Sequence, residues 1–365
     1  MKIANLLSIF YQTLNIKLTR LFGTAPRGPL VIFLALTEKC NLKCKICNIG
    51  RDGQGKGKSE LSKEKIFVFL SDAASMGVKI IALWGGEPLL NKDLEEVVNE
   101  IHRLKMSTYL VTNGYLLNES KVSELVRCKI NSVSVSIDDP FAETHDEIRG
   151  IKGAFEKICK GVRMLKEKGG DEIKVGINMV VSRENYKEIL KMLDLAISLK
   201  AEWVKFLPVH FGYPYNHREF GDKELMPTEE QIDEIHRSMK ELQREVKKNG
   251  LYTNSEVYLD TFREFFRGEY VLKNCYAGYL CCNVDSFGDV TQCSLDPRIA
   301  GNIREKSFRK IWKSEKFKAI RNDHNQKLCG HCWVSCFAEL SLRISLKYSL
   351  AIIKRVLREV SYLKT

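Results

Sequence analysis

The sequence predicts an α/β fold built on a parallel sheet. Apolar runs of strand length alternate with amphipathic stretches of helical period, and the alternation recurs six times between residues 31 and 248. Six consecutive β/α units fit either an open doubly wound sheet or a partial barrel, and the period alone does not distinguish them. Because a chain of 365 residues is longer than one core usually supports, we also expect a second, smaller domain.

The predicted strands and helices follow one another in strict alternation. The strands are Val31–Thr37, Ile80–Trp84, Thr108–Val111, Val133–Ile137, Lys174–Val180 and Trp203–Leu207. The helices are Lys63–Ser75, Lys92–Leu104, Glu119–Arg127, Gly153–Lys168, Asn185–Leu199 and Thr228–Lys248. In parallel α/β folds, chemistry takes place where the carboxyl ends of the strands open into loops. We therefore expect the functional residues in the loops that follow these strands.

Composition and charge exclude several classes of protein. With 44% hydrophobic residues, 28% charged residues and 8 prolines, the chain is neither disordered nor collagen-like. Its net charge of +12 lies mainly at the ends, because residues 1–29 carry four bases and no acid, and residues 337–365 carry six bases and two acids. The sequence also lacks an aromatic-rich basic sheet, so we expect no nucleic-acid partner.

Twelve cysteines are distributed in a way that favours metal binding over disulfide bonds. Ten of them lie in two groups, at residues 40–47 and 275–336. Disulfide frameworks belong to short secreted domains, so grouped thiols in a long chain without a secretion signal indicate metal ligands and a reduced cytoplasm. Cys128 and Cys159 stand alone on apolar helix faces, where free cysteine behaves as a small buried hydrophobe.

The first group has the spacing Cys40-x3-Cys44-x2-Cys47 and directly follows the first predicted strand. A single short loop can direct all three thiolates at one inorganic centre. Structural zinc usually takes four protein ligands, so three cysteines without a nearby histidine fit zinc poorly. A four-iron cluster held by three cysteines leaves one iron free to bind a small bidentate ligand.

This loop and the segments after it resemble the radical S-adenosylmethionine (radical SAM) superfamily. Residues 85–88 (GGEP), 112–114 (TNG) and 136–138 (SID) follow the second, third and fourth strands, and residues 148–150 (IRG) come next. The resemblance covers about residues 31–210 and implies a partial (β/α)6 TIM-like barrel. It also implies a 4Fe-4S cluster that cleaves SAM reductively to a 5′-deoxyadenosyl radical, which abstracts hydrogen from a substrate.

The same resemblance implies contacts to SAM from Gly85, Gly86, Glu87 and Ser136. Bare backbone N–H and C=O groups at the two glycines would approach the SAM amino group, which side chains would obstruct. An ordinary turn between strand and helix is the alternative for the glycines, and a backbone hydrogen bond is the alternative for Ser136. The resemblance also implies an electron donor such as ferredoxin or flavodoxin.

The second group of cysteines resembles the SPASM/twitch extension of radical SAM enzymes. Cys275-x12-Gly288-x4-Cys293 has its spacing, and residues 285–289 predict a hairpin turn between two cysteine-bearing strands. A predicted helix at Phe308–Ile320 precedes the last cysteines. The implied ligands of one auxiliary cluster are Cys275, Cys293, Cys329 and Cys332, and the candidates for a second are Cys281, Cys282 and Cys336. A zinc ribbon on the same four thiolates is the alternative.

The two ends of the chain predict basic amphipathic helices, within residues 1–29 and 338–365. Polar residues interrupt both, so neither fits a helix that spans a bilayer. Each either binds the surface of an anionic membrane or packs on the barrel. The barrel at residues 30–250 and a cysteine-rich α+β domain at residues 251–337 complete the predicted organisation.

These features lead to a functional hypothesis with open alternatives. We expect a cytoplasmic radical SAM enzyme, peripheral at the membrane, that acts on a lipid-like or other small molecule, with a peptide as the alternative substrate. A zinc or nucleic-acid binding module and a non-catalytic electron carrier fit less of the sequence. His210 and His217 after the sixth strand line a substrate cavity or lie in a solvated loop, and Trp84, Trp203 and Trp312 are expected in the core.

Overall fold

The structure is a computed structural model that describes residues 14–49, 58–211, 222–269, 272, 275–323 and 332–344. Six parallel strands form the barrel wall. They are β1 (Val31–Thr37), β2 (Ile80–Gly85), β3 (Ser107–Thr112), β4 (Ser132–Ser136), β5 (Lys174–Val181) and β6 (Trp203–Pro208). Each pairs with the next in parallel register, which confirms the predicted strands.

The helices that follow these strands also occur where the sequence predicts them. They are Lys63–Ser75, Leu94–Arg103, Glu119–Arg127, Ala154–Gly169, Ile189–Ser198 and Glu229–Asn249. Side-chain caps start several of them: Ser62 accepts from the Lys65 N–H, and Thr228 forms a capping box with Gln231. Two details differ from the prediction. The helix expected from Asn185 starts at Ile189, after a short 3-10 turn, and an unpredicted helix spans Ala142–Arg149.

The C-terminal region extends the same sheet. Its strands are β7 (Cys281–Val284), β8 (Asp289–Thr291) and β9 (Gly301–Asn302). Strand β7 pairs in parallel with β1, and β8 returns beside it through the predicted turn, in which the Asp285 carboxylate accepts from the N–H groups of Phe287 and Asp289. The strand order is therefore β6-β5-β4-β3-β2-β1-β7-β8-β9, and backbone hydrogen bonds join the barrel to its extension.

Short helices complete the described part of the extension. They are Glu256–Asp260, Phe262–Phe266, Phe308–Trp312, Glu315–Asn322 and Ser335–Ile344. The single helix predicted at Phe308–Ile320 is wrong, because the Ser314 side chain accepts from the Phe317 N–H and starts a second helix there. The helix expected from residue 338 already begins at Ser335.

The strands alternate between a face toward the outer helices and a face toward the lumen. In β4, Val133 and Val135 are fully buried in the main core, whereas the serines that alternate with them, at positions 132, 134 and 136, lie on the opposite face. Small lumen residues leave room for larger ones. The Trp203 indole lies across Gly176, where an added Cβ would come within 1.9 Å of the ring. The lumen is not filled completely and contains a cavity.

The N-terminal helix contacts the C-terminal extension in its described part. Residues 14–21 are helical, and Ile16 is buried against Tyr279 and Leu280. The opposite side is open, with Leu21 and Phe22 exposed by 77% and 71%. Residues 1–13 and 345–365 of the predicted end helices lie outside the described residues. No helix in the described ranges has the length and apolar character needed to cross a membrane.

Candidate functional site

The loop with the three predicted cluster ligands lies at the carboxyl end of β1. Cys44 is buried, and Cys40 and Cys47 are half-buried. Burial raises the pKa of all three thiols; at Cys47, the neighbouring Cys44 and Cys40 add to this rise and the pKa is about 11. Because iron binds the thiolate, loading a cluster here must displace protons from these sulfurs.

Two glycines hold the start of this loop through backbone contacts. The Gly86 N–H donates to the Thr37 carbonyl at 2.7 Å, and the Glu87 N–H donates to the Lys39 carbonyl at 2.8 Å. A Cβ on Gly85, whose φ is 134°, would lie 2.3 Å from the Thr37 oxygen, and a Cβ on Gly86 would lie 2.1 Å from the Lys39 oxygen. Glycine is therefore required at both positions by the close approach of the two backbones.

The same contacts bear on the expected approach of this turn to SAM. Backbone N–H and C=O groups at the two glycines were expected near the SAM amino group, but the Gly86 N–H already donates to the Thr37 carbonyl, and the N–H of the next residue, Glu87, donates to the Lys39 carbonyl. An amino group needs acceptors, so only the C=O groups of this turn suit it. The predicted contacts of Gly85, Gly86 and Glu87 with SAM stay predictions.

The Glu87 carboxylate links the third strand to the cysteine loop. It is fully buried and accepts from the Thr112 hydroxyl at 2.7 Å and from the Asn113 N–H at 2.7 Å. Burial raises the Glu87 pKa, and these hydrogen bonds oppose the rise. The Asn113 amide in turn donates to the Asn41 side chain at 2.9 Å and lies 3.8 Å from the Cys40 sulfur. Glu87 thus positions the Asn113 side-chain amide, a hydrogen-bond donor, beside Cys40.

Residues 148–150 hold the middle of the same loop. The Lys45 N–H donates to the Ile148 carbonyl at 2.8 Å, and a Cβ on Gly150 would lie 2.7 Å from the Lys43 oxygen. Between them, the buried Arg149 guanidinium lies 3.8 Å from the Cys44 sulfur and pairs with Asp138 at 2.7 Å. A buried positive charge beside a sulfur favours its thiolate form.

The fourth strand ends beside the middle of the fifth. Ser136, the last residue of β4, is paired in register with Asn178 of β5. The Asn178 side-chain oxygen is buried and has no hydrogen-bond partner among the described residues. A contact between Ser136 and SAM stays a prediction.

The lumen cavity has a volume of about 370 Å³. Its walls include Phe33, Trp84, Tyr109, Asn178, Trp203, Lys205, Leu207, His210, Cys336, Phe337 and Glu339. The helix Ser335–Ile344 closes one side, where the Phe337 ring packs edge-on against Phe33 at 5.2 Å. Most of the lining is apolar and aromatic, which is typical of a small-molecule site.

The structure shows where several residues singled out in the sequence lie relative to this cavity. Trp203 is buried, as predicted, but it also lines the cavity and stacks on Tyr109 at 6.2 Å. Trp84, expected in the core, is half-buried and lines the cavity as well. Trp312 is fully buried, as predicted. His210 borders the cavity and accepts from the Trp333 N–H at 3.1 Å; burial lowers its pKa to about 4, so it is neutral near pH 7. His217 lies outside the described residues.

A second cavity of about 260 Å³ marks the predicted auxiliary site. Cys275, Cys293 and Cys332 line it, and Cys329, the fourth implied ligand, lies outside the described residues. Cys281 and Cys336 belong to the same apolar cluster. Five thiols therefore gather at this end of the barrel.

Cys282 does not face this group. Consecutive residues of a strand point to opposite faces, and Cys282 is fully buried in the main core while Cys281 faces the other cysteines. The proposal of Cys282 as a second-cluster ligand is therefore not supported by its position. Cys128 and Cys159 are buried in the main core, as expected.

The donor chemistry of both sites fits iron–sulfur clusters. No three His, Cys, Asp or Glu side chains within the described ranges are placed to share a single metal ion. A cubane cluster does not require this, because each thiolate binds a different iron atom. The loop after β1 supplies three grouped thiols with donors beside two of the sulfurs. The C-terminal site supplies grouped thiols that line a cavity.

Comparison with known proteins establishes the family. Residues 34–196 match the model of the radical SAM superfamily, and residues 275–333 match SPASM, an iron–sulfur cluster-binding domain. The AdoMet-dependent heme synthase of Methanosarcina barkeri is 33% identical over 84% of this chain and 88% of that protein. The chain belongs to the radical SAM superfamily.

Other relatives agree with this assignment. The PqqA peptide cyclase of Rhizobium meliloti is 30% identical over 85% of this chain and 81% of that protein. The crystal structure of Streptococcus suis SuiB has the same fold, with a TM-score of 0.64 and 19% identity over 84% of this chain and 72% of that one. The two family models and the AdoMet-dependent relative show that this radical SAM enzyme uses a 4Fe-4S cluster with SAM and an auxiliary iron–sulfur site, as predicted.

The adjacent cysteines of β7 provide a matched test of the auxiliary site. Cys281→Ser should lose about four irons per chain, because its sulfur faces the other thiols, whereas Cys282→Ser should keep the wild-type content. Iron and sulfide analysis after anaerobic reconstitution measures both. Equal iron content in the two variants would contradict the placement of Cys281 at the cluster.

Arg149 should contribute to stability as well as to the cysteine loop. Arg149→Gln leaves the Asp138 carboxylate buried without its partner, so the free energy of unfolding should fall by about 3–5 kcal/mol. Adding Asp138→Asn should restore part of the loss. Guanidinium denaturation of the apoprotein measures the loss. Arg103→Gln is the control, because Arg103 pairs with Glu100 at the surface and its removal should change the free energy of unfolding much less. A similar loss of unfolding free energy in Arg149→Gln and Arg103→Gln would refute this role of the buried Arg149–Asp138 pair.

Proposed function

We propose that this radical SAM enzyme abstracts hydrogen from an amphiphilic small molecule, lipid-like in its apolar part, that lies in the barrel cavity. The observation that carries the proposal is the largely apolar and aromatic cavity in the lumen, closed on one side by the helix Ser335–Ile344. A cavity of about 370 Å³ suits a small molecule or one side chain better than a folded partner.

The chain itself holds and shields the reacting groups. When bound, the 4Fe-4S cluster supplies the electron for reductive cleavage of SAM, which provides the hydrogen-abstracting 5′-deoxyadenosyl radical. Cys40, Cys44 and Cys47 hold this cluster, and the donors on Asn113 and Arg149 stabilise negative charge on its sulfur ligands. We propose that an external donor such as ferredoxin or flavodoxin delivers the electron.

Exclusion of water is the second contribution of the protein. Phe33, Tyr109, Trp203 and Phe337 surround the cavity with aromatic surface. Such walls keep solvent and other hydrogen donors away from a reactive radical. His210 is neutral because burial lowers its pKa, so it adds no charge to this surface.

A peptide substrate is the second candidate. The similarity to a protein named PqqA peptide cyclase favours it, at 30% identity. In that case a single side chain would enter the lumen while the peptide backbone stays outside. The similarity to a heme synthase, at 33% identity, favours a small molecule instead.

Transfer of deuterium tests both the reaction and the class of substrate. Extracts of cells grown in deuterated medium are separated into an organic-soluble small-molecule fraction and a peptide fraction. With dithionite and SAM, the reconstituted enzyme should form 5′-deoxyadenosine that carries deuterium from the first fraction, because the radical takes its hydrogen from the substrate. Mass spectrometry of 5′-deoxyadenosine measures the label. Label from the peptide fraction alone would establish the second candidate.

The control for this experiment removes the cluster ligands. The variant with Cys40, Cys44 and Cys47 all replaced by Ala should form no dithionite-dependent 5′-deoxyadenosine while retaining the C-terminal iron. Cys128→Ala, which changes a buried thiol of the core, should keep this activity. Undiminished SAM cleavage in the triple variant would refute the assignment of the cluster.

We also propose that the N-terminal helix binds the surface of an anionic membrane. Ile16 packs on the C-terminal extension, but Leu18, Leu21 and Phe22 are exposed on the helix and just after it. Residues 1–29 carry a net charge of +4, which complements anionic headgroups. An exposed apolar face beside a positive charge is typical of helices at the membrane interface.

Replacing the exposed apolar residues should weaken membrane binding. The variant Leu18→Ser, Leu21→Ser, Phe22→Ser should sediment less with anionic liposomes than wild type, and high salt should weaken wild-type binding because each base contributes about 1 kcal/mol. Val68→Ser is the control, since Val68 is 70% exposed on a different helix. Wild-type protein that stays in the supernatant with every liposome would refute membrane contact.

A further inference from the structure

One charged side chain in the lumen has no part in the function described so far. Lys205 lies in the middle of β6, between Trp203 and Leu207, and all three line the cavity. Val204 and Phe206 point the other way and are fully buried in the main core. Parallel strands covered on both faces are usually apolar throughout, so a lysine that faces the lumen is unusual.

The Lys205 ammonium has aromatic neighbours but no carboxylate partner in the described part of the chain. The Cys336 thiol lines the same cavity, where burial raises its pKa and the charge of Lys205 opposes that rise. The Lys205 ammonium lies 5.7 Å from the centre of the Tyr109 ring and 5.9 Å from that of Trp203. No carboxylate oxygen of the described residues comes within the 4.0 Å of a salt bridge. Lys174, the other lysine of the cavity, differs in this respect, because its ammonium lies 3.9 Å from the Glu202 carboxylate.

Further donors line the same cavity. The indole N–H groups of Trp84 and Trp203 are buried and have no hydrogen-bond acceptor among the described residues. Glu339 also borders the cavity, and one of its carboxylate oxygens accepts from the Ser255 N–H at 2.7 Å. Its second oxygen is buried, has no hydrogen-bond partner among the described residues, and could accept a hydrogen bond from a donor group of a ligand. A cation, two unpaired N–H donors and aromatic walls favour a ligand that combines an anionic group with an apolar body.

We infer that Lys205 binds a carboxylate of the substrate, whose apolar part lies against the Tyr109 and Trp203 rings. This inference rests on the proposed small-molecule function and specifies the substrate class as a carboxylic acid. A phosphate monoester carries nearly two charges and is usually held by several donors or by a guanidinium fork. Lys205 is one cation without such a fork, so a singly charged carboxylate fits it better.

A matched series of naphthalene compounds tests the inference without knowledge of the natural substrate. Isothermal titration of the reconstituted holoenzyme measures binding of 2-naphthoate, of the neutral 2-naphthylmethanol and of 2-naphthyl phosphate. Lys205→Met should weaken 2-naphthoate binding by about tenfold or more, because a charge-assisted hydrogen bond is lost. The same variant should bind 2-naphthylmethanol as wild type does.

Two further variants separate the charge of Lys205 from its effect on folding. Lys205→Arg keeps the charge and should retain 2-naphthoate binding within a few-fold. Lys174→Met removes a lysine from the same cavity that already has a carboxylate partner, and it should leave 2-naphthoate binding unchanged. Iron content and thermal unfolding of each variant are measured in parallel.

Three outcomes would overturn the inference. They are no 2-naphthoate binding to wild type, equal binding to wild type and Lys205→Met, and an equal loss in Lys174→Met. Tighter, Lys205-dependent binding of 2-naphthyl phosphate would overturn the choice of a carboxylate. These measurements require no SAM cleavage, so they report on Lys205 whether or not the deuterium experiment supports the proposed reaction.

Discussion

The cysteine loop has no regular structure of its own, and the site depends on two glycine-containing turns whose backbones hold it in place. After β1 ends at Thr37, residues 38–49 form no strand and no complete helix. Gly85 and Gly86 contact the loop just before Cys40, and Gly150 contacts it just before Cys44. Each contact is closer than a side chain allows. The positions of the thiols are therefore determined by main-chain geometry, which is less variable than the packing of flexible side chains.

Buried polar groups convert these contacts into a single network. Glu87 joins the turn after β2 to the end of β3 and, through Asn113, to Cys40. Arg149 joins Asp138 at the end of β4 to Cys44. Because such groups are costly to leave unpaired, the carboxyl ends of β2, β3 and β4 cannot shift independently of the cysteine loop. These contacts couple the cluster loop to three strands of the barrel.

The sequence predicts most of the barrel and the identity of the cluster loop, because periodicity and motif spacing are local properties of the chain. It does not predict that Gly86 and Glu87 donate to Thr37 and Lys39, since that contact depends on which strands become neighbours. It also misses the break between the helices at Ser314, where a local cap outweighs a continuous apolar period. Lys205 is recognisable in the sequence, because it is a lone charged residue in the middle of a predicted parallel strand.

The pairing of β7 with β1 has a consequence for biosynthesis. Val31 is paired in register with Cys281. About 250 residues must therefore be synthesised after β1, the strand that leads into the cluster loop, before its second neighbour β7 exists. At synthesis rates of about 5–20 residues per second, that interval lasts roughly 12–50 s. Throughout it, the apolar β1 presents an unpaired edge, a known starting point for aggregation. We therefore expect chaperones to protect the nascent chain until its last quarter has left the ribosome.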